Sequence, residues 1–142
     1  MVLPLSIILC VVEVLKLDKN SHNKNLTELA LLYLERLLNE HHRTYKIIPP
    51  PDEVKKRGLL TFIVYIEQTG ERWGVLVKDW KRSLGSDLVM RFKMVIDSLH
   101  LSSGIIIGNR ISELARERAK RYGYLSLTRG EIVSYLRNRK SI

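Results

Sequence analysis

Gly74-Val-Leu-Val-Lys-Asp-Trp-Lys-Arg-Ser-Leu-Gly85 is the stretch on which the reading of this chain turns. Val75-Leu-Val77 is an apolar, β-branched run of strand length, and it ends at Lys78. Lys81, Arg82 and Ser83 follow in a polar loop, and Gly85 opens into a helix pattern over Asp87–Leu99. Leu88, Phe92, Val95, Ile96 and Leu99 share one stripe of that helix. A strand ending in an outward lysine beside a basic loop is suited to meet a phosphate backbone, which asks for positive charge before it asks for geometry.

Strand and helix alternate downstream. Gly104-Ile-Ile-Ile-Gly108 is a short buried strand, Ser112 caps a helix to about Tyr122, and Tyr124–Leu127 is another strand after Gly123. Thr128-x-x-Glu131 is a capping box for a final helix through about Arg137. Upstream, Leu59–Ile66 and Arg72–Asp79 are strand-like runs joined by the turn Glu67-Gln-Thr-Gly-Glu71. The first is apolar at odd and even positions alike, as in a sheet covered on both faces. Asn25 and Glu28 begin a helix whose Leu26, Leu29, Ala30, Tyr33, Leu37 and Leu38 recur to about Asn39. A short strand is expected to end near Ile48, Pro49-Pro50-Pro51 forces an extended connection, and Asp52–Gly58 reads as a polar, lysine-bearing loop. Units of this kind make an α/β domain, with a largely parallel sheet flanked by helices.

The 142 residues suffice for one domain with a real core. Lys and Arg number 24 against 15 acidic residues, a net charge of +9. That excess favours polyanions, nucleic acid before an acidic membrane surface. Cys10 is alone, which excludes a disulfide framework and a cysteine metal cluster and suits a reducing, cytoplasmic setting. His22, His41, His42 and His100 lack zinc-site spacing and read as polar surface. Gly104 and Gly108 do not complete a dinucleotide-binding glycine motif, and a nucleophile elbow and a Walker motif are missing from the sequence.

Residues 1–17 are nearly all apolar, but the run is shorter than the ~20 residues of a spanning helix and is broken by Glu13 and Lys16. A basic leader and a small-residue cleavage site are not present in it, so neither a membrane span nor a signal peptide is expected. Its β-branched residues favour a strand, whereas Pro4 suits a helix start, and the two readings stay open. Apolar on all sides, the segment is expected to bury itself in the core or against a partner. The loop Asp18–Lys24 completes an N-terminal region of residues 1–24, ahead of a domain over residues 25–142.

The order helix, hairpin, strand ending in x-Lys, helix, strand, helix, strand, helix resembles the restriction-endonuclease-like PD-(D/E)XK superfamily. It is most similar to Mrr-type nucleases and their archaeal Holliday-junction resolvase relatives, best over Val75–Leu136. Val75-Leu-Val-Lys-Asp-Trp-Lys-Arg82 looks like the family's lysine strand, and Gly85-Ser-Asp-Leu-Val-Met-Arg-Phe92 like the glycine-led helix after it. Gly104-Ile-Ile-Ile-Gly-Asn-Arg-Ile-Ser-Glu-Leu-Ala-Arg116 resembles the next strand and helix, and Tyr124–Leu136 the last pair. Residues 25–73 match in layout only, and residues 1–24 have no counterpart.

The resemblance implies a restriction-endonuclease-like central mixed sheet flanked by helices. It also implies a site where two carboxylates hold magnesium against the scissile phosphate, with a lysine two residues after the second acid on the same strand face. Carried over residue by residue, Lys78 matches the lysine and Glu28 the helix glutamate, as vestigial catalytic positions. Leu76 stands where an acid or glutamine belongs and Thr61 where the hairpin aspartate belongs, so the metal site reads as dismantled. Asp79, Glu67 and Glu71 are the acids near enough in sequence to substitute. Asp79 is expected on the strand face opposite Lys78, and both glutamates in the hairpin turn.

The expectation is therefore a DNA-binding or structured-nucleic-acid-binding protein, nuclease-derived but without metal ligands or cofactor, acting as a homodimer or with a partner protein. Its phosphate contacts are expected from Lys78, Lys81, Arg82, Ser83, Arg110, Arg116 and Lys120. Trp73 reads as core, while Trp80 beside Lys81 is a candidate to pack on a base or sugar. Arg110, Arg116, Arg118, Lys120 and Arg121 share their segment with Glu113 and Glu117 at i,i+4 spacings, so a salt-bridged surface face is the plainer reading of that helix. The alternatives are an active magnesium-dependent endonuclease or junction resolvase, and a structural subunit of a protein complex.

Overall fold

The computed structural model describes residues 25–138, and the N-terminal segment read above as strand or helix lies outside them. Asn25 and Glu28 close a reciprocal capping box, with Glu28 N–H on Asn25 Oδ1 at 2.8 Å and Asn25 N–H on Glu28 Oε1 at 3.1 Å. They start α1 (Leu26–Glu40). After β1 (Tyr45–Ile48) come α2 (Asp52–Arg57), β2 (Phe62–Ile66), β3 (Arg72–Lys78) and α3 (Ser86–Ser98). Then β4 (Ser103–Gly108), α4 (Glu113–Arg121), β5 (Leu125–Thr128) and α5 (Arg129–Arg137) complete the order.

The strands form one five-stranded sheet in sequential order. β1, β2 and β3 are an antiparallel meander, and only the β3–β4 and β4–β5 pairs are parallel. The sheet is thus mixed rather than largely parallel: the short turn after β2 closes a hairpin with β3, the longer connection through α2 also returns antiparallel, and the helical crossovers after β3 set β4 and β5 parallel. Asp52–Gly58 also departs from its reading as a loop. Its charges follow the helix dipole, with Asp52 and Glu53 in the first turn and Lys55, Lys56 and Arg57 in the last, and Gly58 ends it at φ 68°.

Side-chain alternation divides the core into two layers. Phe62, Val64, Val75, Ile105 and Ile107 pack under α1 and α5. Ile63, Leu76 and Ile106 face the other way, under α3 and α4. Gly74 and Gly104 are direct partners in the β3–β4 ladder. A Cβ at Gly104 would lie 2.6 Å from Phe92 Cε2, and one at Gly74 would lie 2.5 Å from Ile96 Cδ1. The absent side chains let α3 sit close on the sheet, which positions everything at the carboxyl end of β3.

Candidate nucleic-acid interface

The loop after β3 is pinned at both ends. At its start, Asn109 Nδ2 donates to Asp79 Oδ1 and to the Trp80 carbonyl, each at 2.8 Å. Arg129 Nε donates to Asn109 Oδ1 at 2.8 Å, so the ends of β3, β4 and β5 are joined through one amide. At its close, Leu84 bridges to Ile111 in the parallel sense, with Leu84 N–H on the Arg110 carbonyl at 2.9 Å and Ser112 N–H on the Leu84 carbonyl at 3.0 Å. The Leu84 side chain is buried against the open face of Gly108. Between these anchors Lys81, Arg82 and Ser83 stand exposed.

Trp80 does not present a free ring. It packs on the second core layer, with Lys78 Nζ 5.1 Å and the Arg82 guanidinium 4.2 Å from its ring centroid. Contacts of this kind are worth about 0.5–1 kcal/mol each when exposed, enough to bias where a long cationic chain rests. The Lys78 ammonium also lies against Gly58, where a Cβ would be 2.9 Å away. Burial, and then the neighbouring Arg91, hold the Lys78 pKa below the ordinary lysine value.

Lys78, Lys81, Arg82, Ser83 and Arg110 therefore gather at the carboxyl ends of β3 and β4. Arg116 and Lys120 do not join them in the same way. Arg116 Nη2 pairs with Glu131 at 2.8 Å, tying α4 to α5. Burial raises the Glu131 carboxyl, but hydrogen bonds from Arg116 and the Thr128 backbone outweigh it and hold the pKa below its ordinary value. Lys120 lies in the last turn of α4, roughly 10 Å along the helix from Glu113. Among the described residues, the i,i+4 ladder expected from Glu113 and Glu117 does not form. Glu28 sits on α1, across the sheet from Lys78, with its carboxylate committed to the capping box.

The residues at the acid positions do not fit a divalent ion. Leu76 is 1% exposed within the apolar layer under α3. The Thr61 hydroxyl accepts the Val77 N–H at 2.8 Å and so continues the β2–β3 ladder. Asp79 is held by Asn109 and by Arg129. Glu67 pairs with Lys46 and Glu71 accepts from Thr69, both in the hairpin turn at the other end of β3, roughly 20 Å from Lys78. Among the described residues no group of three His, Cys, Asp or Glu side chains is placed to share a metal. No helix among them is long and apolar enough to cross a membrane.

Comparison of the chain with protein-family models, with curated proteins and with solved structures finds no match.

Sequence reasoning passed over Asn109 and Arg129, which hold the loop, and Arg91, which faces Lys78. Asn109 follows the buried strand Gly104–Gly108 directly, and a polar amide at the carboxyl end of a strand is the signal that marked it. Arg91 carried no signal of its own, because its neighbour Lys78 belongs to a different element.

Proposed function

We propose that this domain binds nucleic acid, DNA in particular, through the pinned loop at the carboxyl end of β3, as a nuclease-like fold without the metal chemistry. The observation that carries the reading is the pairing of two facts at one end of the sheet. Lys78, Lys81, Arg82 and Arg110 converge there without a carboxylate within ion-pair distance among the described residues. The two positions that would supply acids are spent instead on the core at Leu76 and on the β-ladder at Thr61. The element order and the mixed sheet support a restriction-endonuclease-like architecture. Lys81, Arg82 and Ser83 contact phosphates, Lys78 approaches from the strand, and Arg116 contributes less because Glu131 holds it. Cleavage, where it occurs, belongs to a partner.

The test is fluorescence anisotropy with labelled duplex, single-stranded and four-way-junction DNA, with and without magnesium or manganese, across a salt series. Binding without cutting is expected, with affinity falling steeply as salt rises. The double variant Lys81→Ala/Arg82→Ala is expected to flatten the log–log salt slope by roughly 2. Equal binding by this variant and the parent would overturn the interface, and metal-dependent cutting would overturn the loss of chemistry.

A further inference from the structure

Between α2 and α3 runs a groove of about 630 Å³, within the range that takes a compact ligand. α3 supplies one wall as a helical stripe, with Arg91, Met94, Val95 and Ser98 at i, i+3, i+4 and i+7. Val54, Arg57 and Leu59 supply the other wall. The floor is apolar, since Val95 and Leu59 are buried. Met94 stands 69% exposed at its edge, an adaptable thioether with nothing of this chain to cover it among the described residues.

The rim is cationic on both sides. Arg57 comes from α2 and Arg91 from α3, and the Lys78 ammonium lies against Gly58, next in sequence to Arg57. Among the described residues no carboxylate is within ion-pair distance of Arg57, Arg91 or Lys78. Asp87, one turn before Arg91 on α3, makes no such pair, and Asp52 and Glu53 stand at the opposite end of α2. Positive charge on both walls of an apolar trough complements a unit that is anionic at both ends and apolar between. A nucleotide within a strand meets both demands, with phosphates flanking its sugar and a base whose face packs on apolar side chains.

We propose that the groove holds one unpaired nucleotide of a nucleic-acid strand, with its base on Val54, Met94 and Val95 and its flanking phosphates on Arg57 and Arg91. The inference rests on the nucleic-acid reading of the loop after β3, and Lys78 lies between the two surfaces. It makes the preferred substrate a duplex joined to a single-stranded segment, because a base inside a duplex is not free to enter a trough of this size.

The experiment compares a labelled blunt duplex with the same duplex carrying a short single-stranded overhang, by anisotropy at fixed salt. The overhang substrate is expected to bind about 10-fold more tightly. Arg57→Gln and, separately, Met94→Ser are expected to remove most of that preference while blunt-duplex affinity stays within about 2-fold. Met94 is exposed, so its variant is not at risk of failing to fold. Blunt-duplex binding with no preference for the overhang would sink the groove and leave the loop standing. An overhang preference that survives both variants would sink it equally. Displacement of neither DNA but capture of an acidic amphipathic peptide, lost in Arg57→Gln, would assign the groove to a protein and overturn the nucleotide. Absence of binding to every DNA would end both readings together.

Discussion

The guanidinium of Arg82 rests 4.2 Å from the ring centroid of Trp80, while the backbone carbonyl of that tryptophan is held by Asn109. One residue therefore fixes both the path of the loop and the resting place of its cations. Trp80→Leu keeps apolar bulk and removes the π face. Duplex affinity is expected to fall about 3- to 10-fold, with stability reduced by no more than about 1–2 kcal/mol. Anisotropy beside a urea melt separates the two effects, and unchanged affinity would remove the ring from the account.

Asn109→Ala takes away two donated bonds and the acceptor for Arg129 Nε at once. A cost of about 1–3 kcal/mol is expected in chemical denaturation, because the Trp80 carbonyl is partly enclosed and loses its donor. Asn109→Asp should not rescue it, since a carboxylate cannot donate to that carbonyl. Equal stability of parent and Asn109→Ala would show that the loop is held from its Leu84 end alone.

Gly104→Ala is expected to destabilise the fold by about 1–3 kcal/mol, since the new methyl would meet Phe92 Cε2 at 2.6 Å in a fully buried layer. Pairing it with Phe92→Leu should recover part of the loss if the clash is the cause. A double-mutant cycle read by thermal or urea unfolding measures the recovery. Strict additivity would place the cost elsewhere.

Glu131 gives the acid limb of stability a definite sign. Its carboxyl is held below its ordinary value of 4.5 in the folded chain, so below that pH the unfolded chain binds the extra proton more readily. The stabilisation from Arg116 and the Thr128 cap is then complete at neutral pH and is lost as pH falls from about 4.5 through the folded value. Glu131→Gln should cost about 1 kcal/mol at pH 7 and make the curve shallower in that acid window. Denaturation midpoints between pH 3 and 7 decide it, and parallel curves for both proteins would refute the assignment.

Much of this fold could be read ahead of the structure because the deciding signals are local. The capping boxes at Asn25/Glu28 and Thr128/Glu131 each act within four residues, and both formed as spelled. The alternation Ile105, Ile106, Ile107 states its own two-sided burial. α2 escaped because six residues carry no apolar stripe, and only the order of its charges marks it as a helix. The candidate site was legible in its cations and not in their setting. Asn109 meets Asp79 and Trp80 from about thirty positions away, and Lys78 meets Arg91 and Gly58 only after three elements have packed. Whether Trp80 offered its ring to a ligand or to Lys78 and Arg82 was likewise a tertiary question.

α1 and α5 pack side by side. Tyr135 donates its hydroxyl to Glu40 across 95 positions, and Arg36 donates to the Leu136 carbonyl across 100. During synthesis β2 and β3 follow α1 closely and cover part of its apolar face, but the flank that α5 covers leaves the ribosome long before α5 exists. At 5–20 residues per second the interval is roughly 5–20 s, far longer than a helix or a hairpin needs to form. The growing chain thus carries that flank of α1 uncovered until α5 is made. Its yield in a cell will depend on chaperone supply and elongation speed as well as on the stability of the finished domain.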